Sequence, residues 1–254
     1  MIRLHNVSAG YGGKAVIHDI SLSLEPGKVT AVIGPNGCGK STLLKTITGI
    51  LPATDGNVLF HDIPSPQLSP TETARQVAYL PQNRHVPDIS ALSMVLHGRF
   101  PYLSFPRRYR PEDYEAARRA LDWVGLADLE QESMCRLSGG MQQGVFLAMA
   151  LAQDTETILM DEPMTFLDIA HQLRTLELAR QLAAQGKAVV MVLHDLSQAL
   201  SVADTVAVME RGHLRCVSTP EALFAGTTLT EVFGVEVHRV SIGDSWHYIC
   251  IAIS

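Results

Sequence analysis

Long apolar runs, paired cysteines, aromatic residues and a surplus of positive charge are all scarce or missing in this 254-residue chain, and each absence closes a class of explanation. No stretch reaches the roughly 18 apolar residues that a membrane-spanning helix requires, so the chain is expected to be soluble and to leave any work across a membrane to a spanning partner. Met1 to Ser8 has neither an apolar centre nor a cleavage site and does not read as a secretory signal. The four cysteines, Cys38, Cys135, Cys216 and Cys250, form no CxxC pair. A zinc knuckle or thioredoxin-type site is therefore not indicated, and reduced thiols in a cytosolic protein are the simplest reading. Aromatic residues make up only 6%. Twenty Lys and Arg against 26 Asp and Glu give a net charge of −6, so no global positive field draws the chain onto nucleic acid. Internal repeats and low-complexity tracts are absent as well.

What is present suits a folded domain. The composition is 46% hydrophobic and 18% charged, and the length allows a core that needs no disulfide or metal. Ile2, Leu4 and Val7, then Ile20, Leu22 and Leu24 in alternation with polar residues, predict an antiparallel β layer ending at Pro26-Gly27. Val29 to Ile33 is a short β-branched run that meets a glycine loop and then helix-forming Leu43, Leu44 and Ile47. Further buried-type strands are expected at Val77 to Leu80, Thr157 to Met160 and Ala188 to Leu193, with a helix over Ile169 to Ala184. Between Asp88 and Asp154 helical pattern replaces strand pattern, notably over Pro111 to Val124. The end reads as strands at Val206 to Met209, Leu214 to Val217 and Val235 to Ile253, with a helical piece from Pro220 to Phe233. The expected organisation is an α/β core formed by residues 1–87 and 155–254, carrying an inserted helical subdomain over 88–154.

Two motifs carry the chemistry. Gly34-Pro-Asn-Gly-Cys-Gly-Lys40-Ser41 fills the template GxxxxGK[ST] completely. In such a loop glycines let backbone N–H groups converge on phosphate oxygens, Lys40 reaches the β and γ phosphates, and Ser41 binds Mg2+. Ile158 to Glu162 is an apolar strand ending in two carboxylates, as needed to deliver Asp161 to Mg2+ and to place Glu162 where it orients or deprotonates an attacking water.

With Leu137-Ser138-Gly139-Gly140 opening an apolar helix between those motifs, nearly the whole chain resembles the ATP-binding subunits of ABC transporters. The resemblance implies a P-loop NTPase fold, with a mostly parallel sheet, an antiparallel β layer and the inserted helical subdomain. ATP and Mg2+ are the implied cofactors, with nucleotide contacts at Asn36, Gly37, Cys38, Gly39, Lys40, Ser41 and Thr42. Tyr11 stands where the family stacks adenine, although a tyrosine in a glycine turn also serves simply to cap a core. Gln82 matches the Q-loop glutamine, at the junction with the helical subdomain, where the family couples closure to the permease and which is also among the expected Mg2+ ligands; His194 matches the switch histidine and Asp168 the D-loop aspartate. Lys40, Gln82 and His194 are then the donors for charge developing on the γ-phosphoryl group. Ser138, Gly139 and Gly140 form a second helix-start anion site, facing nucleotide held by another subunit. A homodimer is therefore expected, since one copy carries one phosphate loop and one signature.

Asp161-Glu-Pro-Met-Thr-Phe-Leu-Asp-Ile-Ala-His-Gln172 and Gly98-Arg-Phe-Pro-Tyr102 resemble the importer branch serving ferric siderophores, haem and vitamin B12, with the siderophore group nearest. This implies two permease subunits and, indirectly, an extracytoplasmic substrate-binding protein, with the ATPase on the cytoplasmic face of the plasma membrane. Arg107 to Arg110 reads either as a solvated basic loop or as a contact to a partner or lipid headgroups. The chain departs from the family at Met141, Gln142 and Gly144, where two positive side chains are usual, and Gly144 costs about 1 kcal/mol of helix propensity relative to alanine. Two rivals stay open: a nucleotide-gated regulatory or structural subunit with weak hydrolysis, and an importer ATPase for haem, cobalamin or a metal ion. An ABC ATPase working on nucleic acid is disfavoured by the acidic balance and the lack of a basic tail.

Overall fold

The computed structural model describes residues 1–82, 84–165, 167–243 and 245–252. Phe166 and Ile253, which fall within the segments singled out above, lie outside the described residues. The chain opens with an antiparallel hairpin, β1 (Ile2–Tyr11) and β2 (Lys14–Leu24). Ile20, Leu22 and Leu24 are buried while the residues between them are exposed, the period-two pattern of a strand with one face on a core. β3 (Val29–Ile33) is buried at every position, as a central parallel strand covered on both faces requires. It passes through the glycine loop into α1 (Lys40–Ile47). β4 (Asp55–Phe60) and β5 (Ile63–Pro64) return the chain to the first sheet, whose order is β2-β1-β4-β5.

α2 (Pro70–Gln76) leads into β6 (Val77–Leu80). Helices α3 (Ala91–Leu96), α4 (Pro111–Trp123) and α5 (Gly139–Ala152) follow. Among the described residues this stretch contains only an isolated bridge, Ser90 to Ser133. The chain then alternates through β7 (Thr157–Asp161), α6 (Ile169–Ala184), β8 (Ala188–Val192), α7 (Leu196–Val202), β9 (Thr205–Glu210) and β10 (His213–Ser218). It closes with α8 (Pro220–Ala225), α9 (Thr228–Phe233) and the hairpin β11 (Val235–Ile242) and β12 (Ser245–Ala252). The helical piece expected over Pro220 to Phe233 is thus two helices, parted where Gly226 takes extended backbone.

The second sheet has the order β10-β9-β3-β8-β7-β6, parallel except for the edge pair β9 and β10. Its strands alternate between two cores. Val32, Leu159, Val190 and Val192 face α1 and the antiparallel layer, packing with Leu43, Leu44, Ile47 and Phe60. Ala31, Ile33, Ile158, Met160 and Met191 face α3 to α7 on the other side. Each fully buried Leu or Ile contributes about 1.5–3 kcal/mol, so the sheet is a rigid platform. The carboxyl ends of β3, β7 and β8 carry the residues described next.

Candidate active site

Between β3 and α1 the backbone has to pass where side chains do not fit. A Cβ at Gly34 would lie 2.3 Å from the Met209 carbonyl oxygen, and at Gly39, with φ +105, one would lie 2.6 Å from Ile17 Cγ2. Gly39 is also the N-cap of α1 and offers no side chain to the first turn. By contrast α2, α5, α6 and α7 are capped by Ser69, Ser138, Asp168 and Asp195. The first-turn N–H groups of α1 are thereby left for an external anion, at the positive end of the helix dipole. Lys40 is 6% exposed, and its Nζ donates to the carbonyls of Gly34 (2.7 Å) and Pro35 (3.1 Å). Cys38 turns its side chain into the core, where burial pushes the thiol up.

The loop borders a cavity of about 570 Å³ lined by Val16, Asn36, Gly37, Gly39, Lys40, Ser41, Thr42, Gln82, Glu162 and His194. This is within the usual size of a small-molecule site. β7 ends at Asp161, which is buried next to the cavity and reaches its lining through Ser41. One carboxylate oxygen accepts from Ser41 Oγ and the other from the Tyr79 hydroxyl, each at 3.1 Å. Burial raises the Asp161 pKa, and the two hydroxyls pull in the opposite direction. Glu162 stands in left-handed backbone, φ +49, a conformation rare outside glycine and found where a site over-determines it. Its Oε1 lies 2.5 Å from His194 Nε2, and its Oε2 accepts from the Gln82 side-chain amide. His194 is set by the end of β8, where Leu193 N–H donates to Val32, and by Asp195, which caps α7. Two other chain segments, those carrying Gln82 and His194, therefore converge on the Glu162 carboxylate.

Other expected residues fall elsewhere. Ser138 caps α5, accepting from Met141 N–H at 3.3 Å. A Cβ on Gly140 would stand 3.7 Å from Leu167 and 3.9 Å from the His171 ring. Asp168 caps α6, with its carboxylate 2.9 Å from the His171 backbone nitrogen and 2.8 Å from His171 Nδ1. Those contacts hold its carboxyl below the usual range. Ser138, Gly139, Gly140 and Asp168 do not line the phosphate-loop cavity, nor does Tyr11, which is half exposed at the end of β1. One copy thus gathers Lys40, Ser41, Gln82, Glu162 and His194 around one cavity, with the Ser138-capped start of α5 apart from it.

A family model described as "ABC transporter" matches residues 17–165, from β2 to just beyond Glu162. The chain belongs to the ABC transporter family. Its relatives include the iron(3+)-hydroxamate import ATP-binding protein FhuC of Bacillus subtilis, 37% identical over 95% of this chain and 91% of that protein. The ferric enterobactin transport ATP-binding protein FepC of Escherichia coli is 35% identical over 92% and 87%. The hemin import ATP-binding protein HmuV of Agrobacterium fabrum is 39% identical over 92% of each. Among solved structures, one described as a metal-chelate-type ABC transporter in an inward-facing conformation superposes with a TM-score of 0.85 at 26% identity, covering 98% of this chain and 97% of that one. A dimeric bacterial ABC transporter cassette gives 0.77 at 27%, covering 87% and 99%. This ABC subunit is an ATPase with the P-loop NTPase fold.

Two polar side chains in the ABC site carry no signal in the linear sequence. Tyr79 looks like any alternating strand residue, yet its hydroxyl meets Asp161, 82 positions away. Arg84 sits in a loop two residues past Gln82 and reaches Gln143, 59 positions away. Neither was expected, because only the β6–β7 pairing and the packing of α5 bring these partners together.

Proposed function

We propose that the chain is the energy-coupling ATPase of an importer for a ferric siderophore or a related iron chelate. Two copies work beneath two membrane-embedded permease subunits on the cytoplasmic face of the plasma membrane, and an extracytoplasmic binding protein delivers the cargo. The observation that carries the ATPase chemistry is the placement of Glu162 between Gln82 and His194 at the mouth of the phosphate loop. The cargo class rests on the relatives, which serve hydroxamate, enterobactin and hemin import. Among the described residues no helix is long and apolar enough to cross a membrane, so transport requires the permease.

In this reading the α1 start and Lys40 hold the β and γ phosphates, with backbone from Asn36, Gly37, Cys38, Gly39 and Thr42 around them. Lys40 exchanges its two carbonyl partners for phosphate oxygens. Ser41, Asp161 and Gln82 offer a hydroxyl, a carboxylate and an amide oxygen, the hard donor set that suits Mg2+. When bound, Mg2+ neutralises charge on the β and γ phosphoryl oxygens. Glu162 orients and deprotonates the attacking water, while His194 and Gln82 donate to the charge that develops. Tyr11 stacks on adenine. Ser138, Gly139, Gly140 and Asp168 of the second copy close the nucleotide from the other side, and residues 88–154 move as the helical subdomain against 1–87 and 155–254. ATP stabilises the closed dimer and hydrolysis releases it.

A tagged copy recovered from mildly solubilised native membranes is expected to bring a polytopic permease in a two-to-two complex. Recovery alone, or with soluble proteins only, would overturn the importer assignment. The second reading, a nucleotide-gated subunit with weak turnover, is favoured by one feature: Gln142 spends its amide on the carbonyls of Met134 (3.0 Å) and Leu137 (3.1 Å) instead of presenting a charge. Phosphate release by the wild type that requires Mg2+, and that falls at least about 100-fold in Glu162→Gln, separates the two.

A further inference from the structure

Arg84 is a partly buried cation that, among the described residues, makes no ion pair. Its guanidinium is held in three directions at once. Nε donates to the Pro81 carbonyl at 2.5 Å, Nη1 donates to Gln143 Oε1 at 2.6 Å, and the plane lies over the Phe146 ring with Cζ 5.0 Å from its centroid. Gln143 and Phe146 are three residues apart on α5, on one helix face. Gln143 in turn donates its amide to the carbonyl of Pro163, the residue after Glu162. Because Gln82 donates to Glu162, a ring closes from Gln82 through Glu162, Pro163, Gln143 and Arg84 back to the loop that holds Gln82. Burial draws Arg84 down to about 10, with Tyr79 and Asp161 opposing the shift, so the group is still charged at neutral pH.

Stability alone does not call for this arrangement. A partly buried cation with no carboxylate in direct contact costs desolvation, which the more distant Asp161 offsets only in part, and an apolar side chain over Phe146 would serve packing as well or better. What the planar fork adds is direction, which neither an apolar chain nor the point charge of lysine reproduces.

We propose that Arg84 is a positioning residue that ties the orientation of α5, and with it Ser138 to Gly140, to the placement of Gln82 and Glu162. Through Pro81 it sets the loop carrying the glutamine, and through Gln143 and Pro163 it sets the backbone leaving the glutamate. Among the described residues none of its hydrogen bonds or ring contacts goes to the phosphate loop, so the loop's own hold on nucleotide does not depend on it. The inference rests on the ATPase reading above.

The test is steady-state phosphate release by the full-length chain, with ATP affinity and thermal melting measured alongside. Arg84→Met and Arg84→Lys are expected to lower kcat by about tenfold to a hundredfold, the scale of a small misplacement of reacting groups. KM and ATP affinity should stay within about twofold and the melting temperature should not fall, since the lost interactions orient and do not bind. Gln143→Glu retains a partner for Arg84 and loses the donor to Pro163, so it should share the loss. Arg84→Met combined with Gln143→Ala should be no worse than either alone, because both break one ring. Unchanged kcat in Arg84→Met, or in Gln143→Glu if the former does not fold, overturns the proposal, as does a double variant whose losses multiply. No phosphate release from the wild type would instead bring down the ATPase reading and this inference with it.

Discussion

At Asp161 the demands of folding and of chemistry pull apart. The residue is 2% exposed, and burial lifts its carboxyl above the ordinary value of 3.8 despite hydrogen bonds from Ser41 and Tyr79. With the folded pKa above the unfolded one, its contribution to stability is fully present below about 3.8 and is lost as pH rises through the folded value. At neutral pH the ionised carboxylate is therefore a net cost, one that a cation in the proposed Mg2+ site would offset. Asp161→Asn is expected to melt at the same temperature or higher at pH 7 without nucleotide, while losing Mg2+-dependent hydrolysis. A melting temperature several degrees lower would contradict this. The residues of the phosphate loop and the Asp161-Glu162 pair were legible in the sequence because their spacing is fixed by local geometry. Tyr79 and Arg84 were not, since a strand pairing and a helix packing supply their meaning.

Helix α5 shows what a departure from the family pattern does at the scale of an element. Gly144 in mid-helix costs about 1 kcal/mol of propensity relative to alanine, which, with the loss of a usual positive side chain, is what the sequence shows. In the fold a Cβ there would lie 2.8 Å from Leu126 Cδ1, so the glycine is also the space into which Leu126 packs. Gly144→Ala alone is expected to change the urea unfolding free energy by less than the propensity gain, because the two effects oppose. In a Leu126→Ala background the same substitution should stabilise by about 1 kcal/mol; additive effects in the two backgrounds would remove the packing role. The sixteen-residue α6 was readable from its helical period and the short strands β3 and β6 from their apolar runs, and the observed spans of all three match those expected. α3 and α7, of six and seven residues, are too short for a 3.6-residue period to emerge. α2 did carry its signal, Ser69 and Glu72 around Pro70.

For the whole molecule, the sheet brings Lys40, Asp161, Glu162 and His194 to one edge because β3, β7 and β8 are parallel neighbours. α5 presents its capped start elsewhere. The alternation of strands and helices made the parallel core legible in advance, and the switch to helical pattern after Asp88 located α3 to α5. The proposal that the start of α5 faces nucleotide on a second copy follows only from the family resemblance, since spacing along the chain says nothing about which copy a helix start faces. That proposal is the central claim, and it is tested most directly by the mass of Glu162→Gln in gel filtration with and without MgATP. The expected result is a monomer that doubles in mass with MgATP and ceases to do so when Ser138→Arg is added. A monomer at saturating ATP, or a dimer indifferent to both nucleotide and Ser138→Arg, would contradict the composite site.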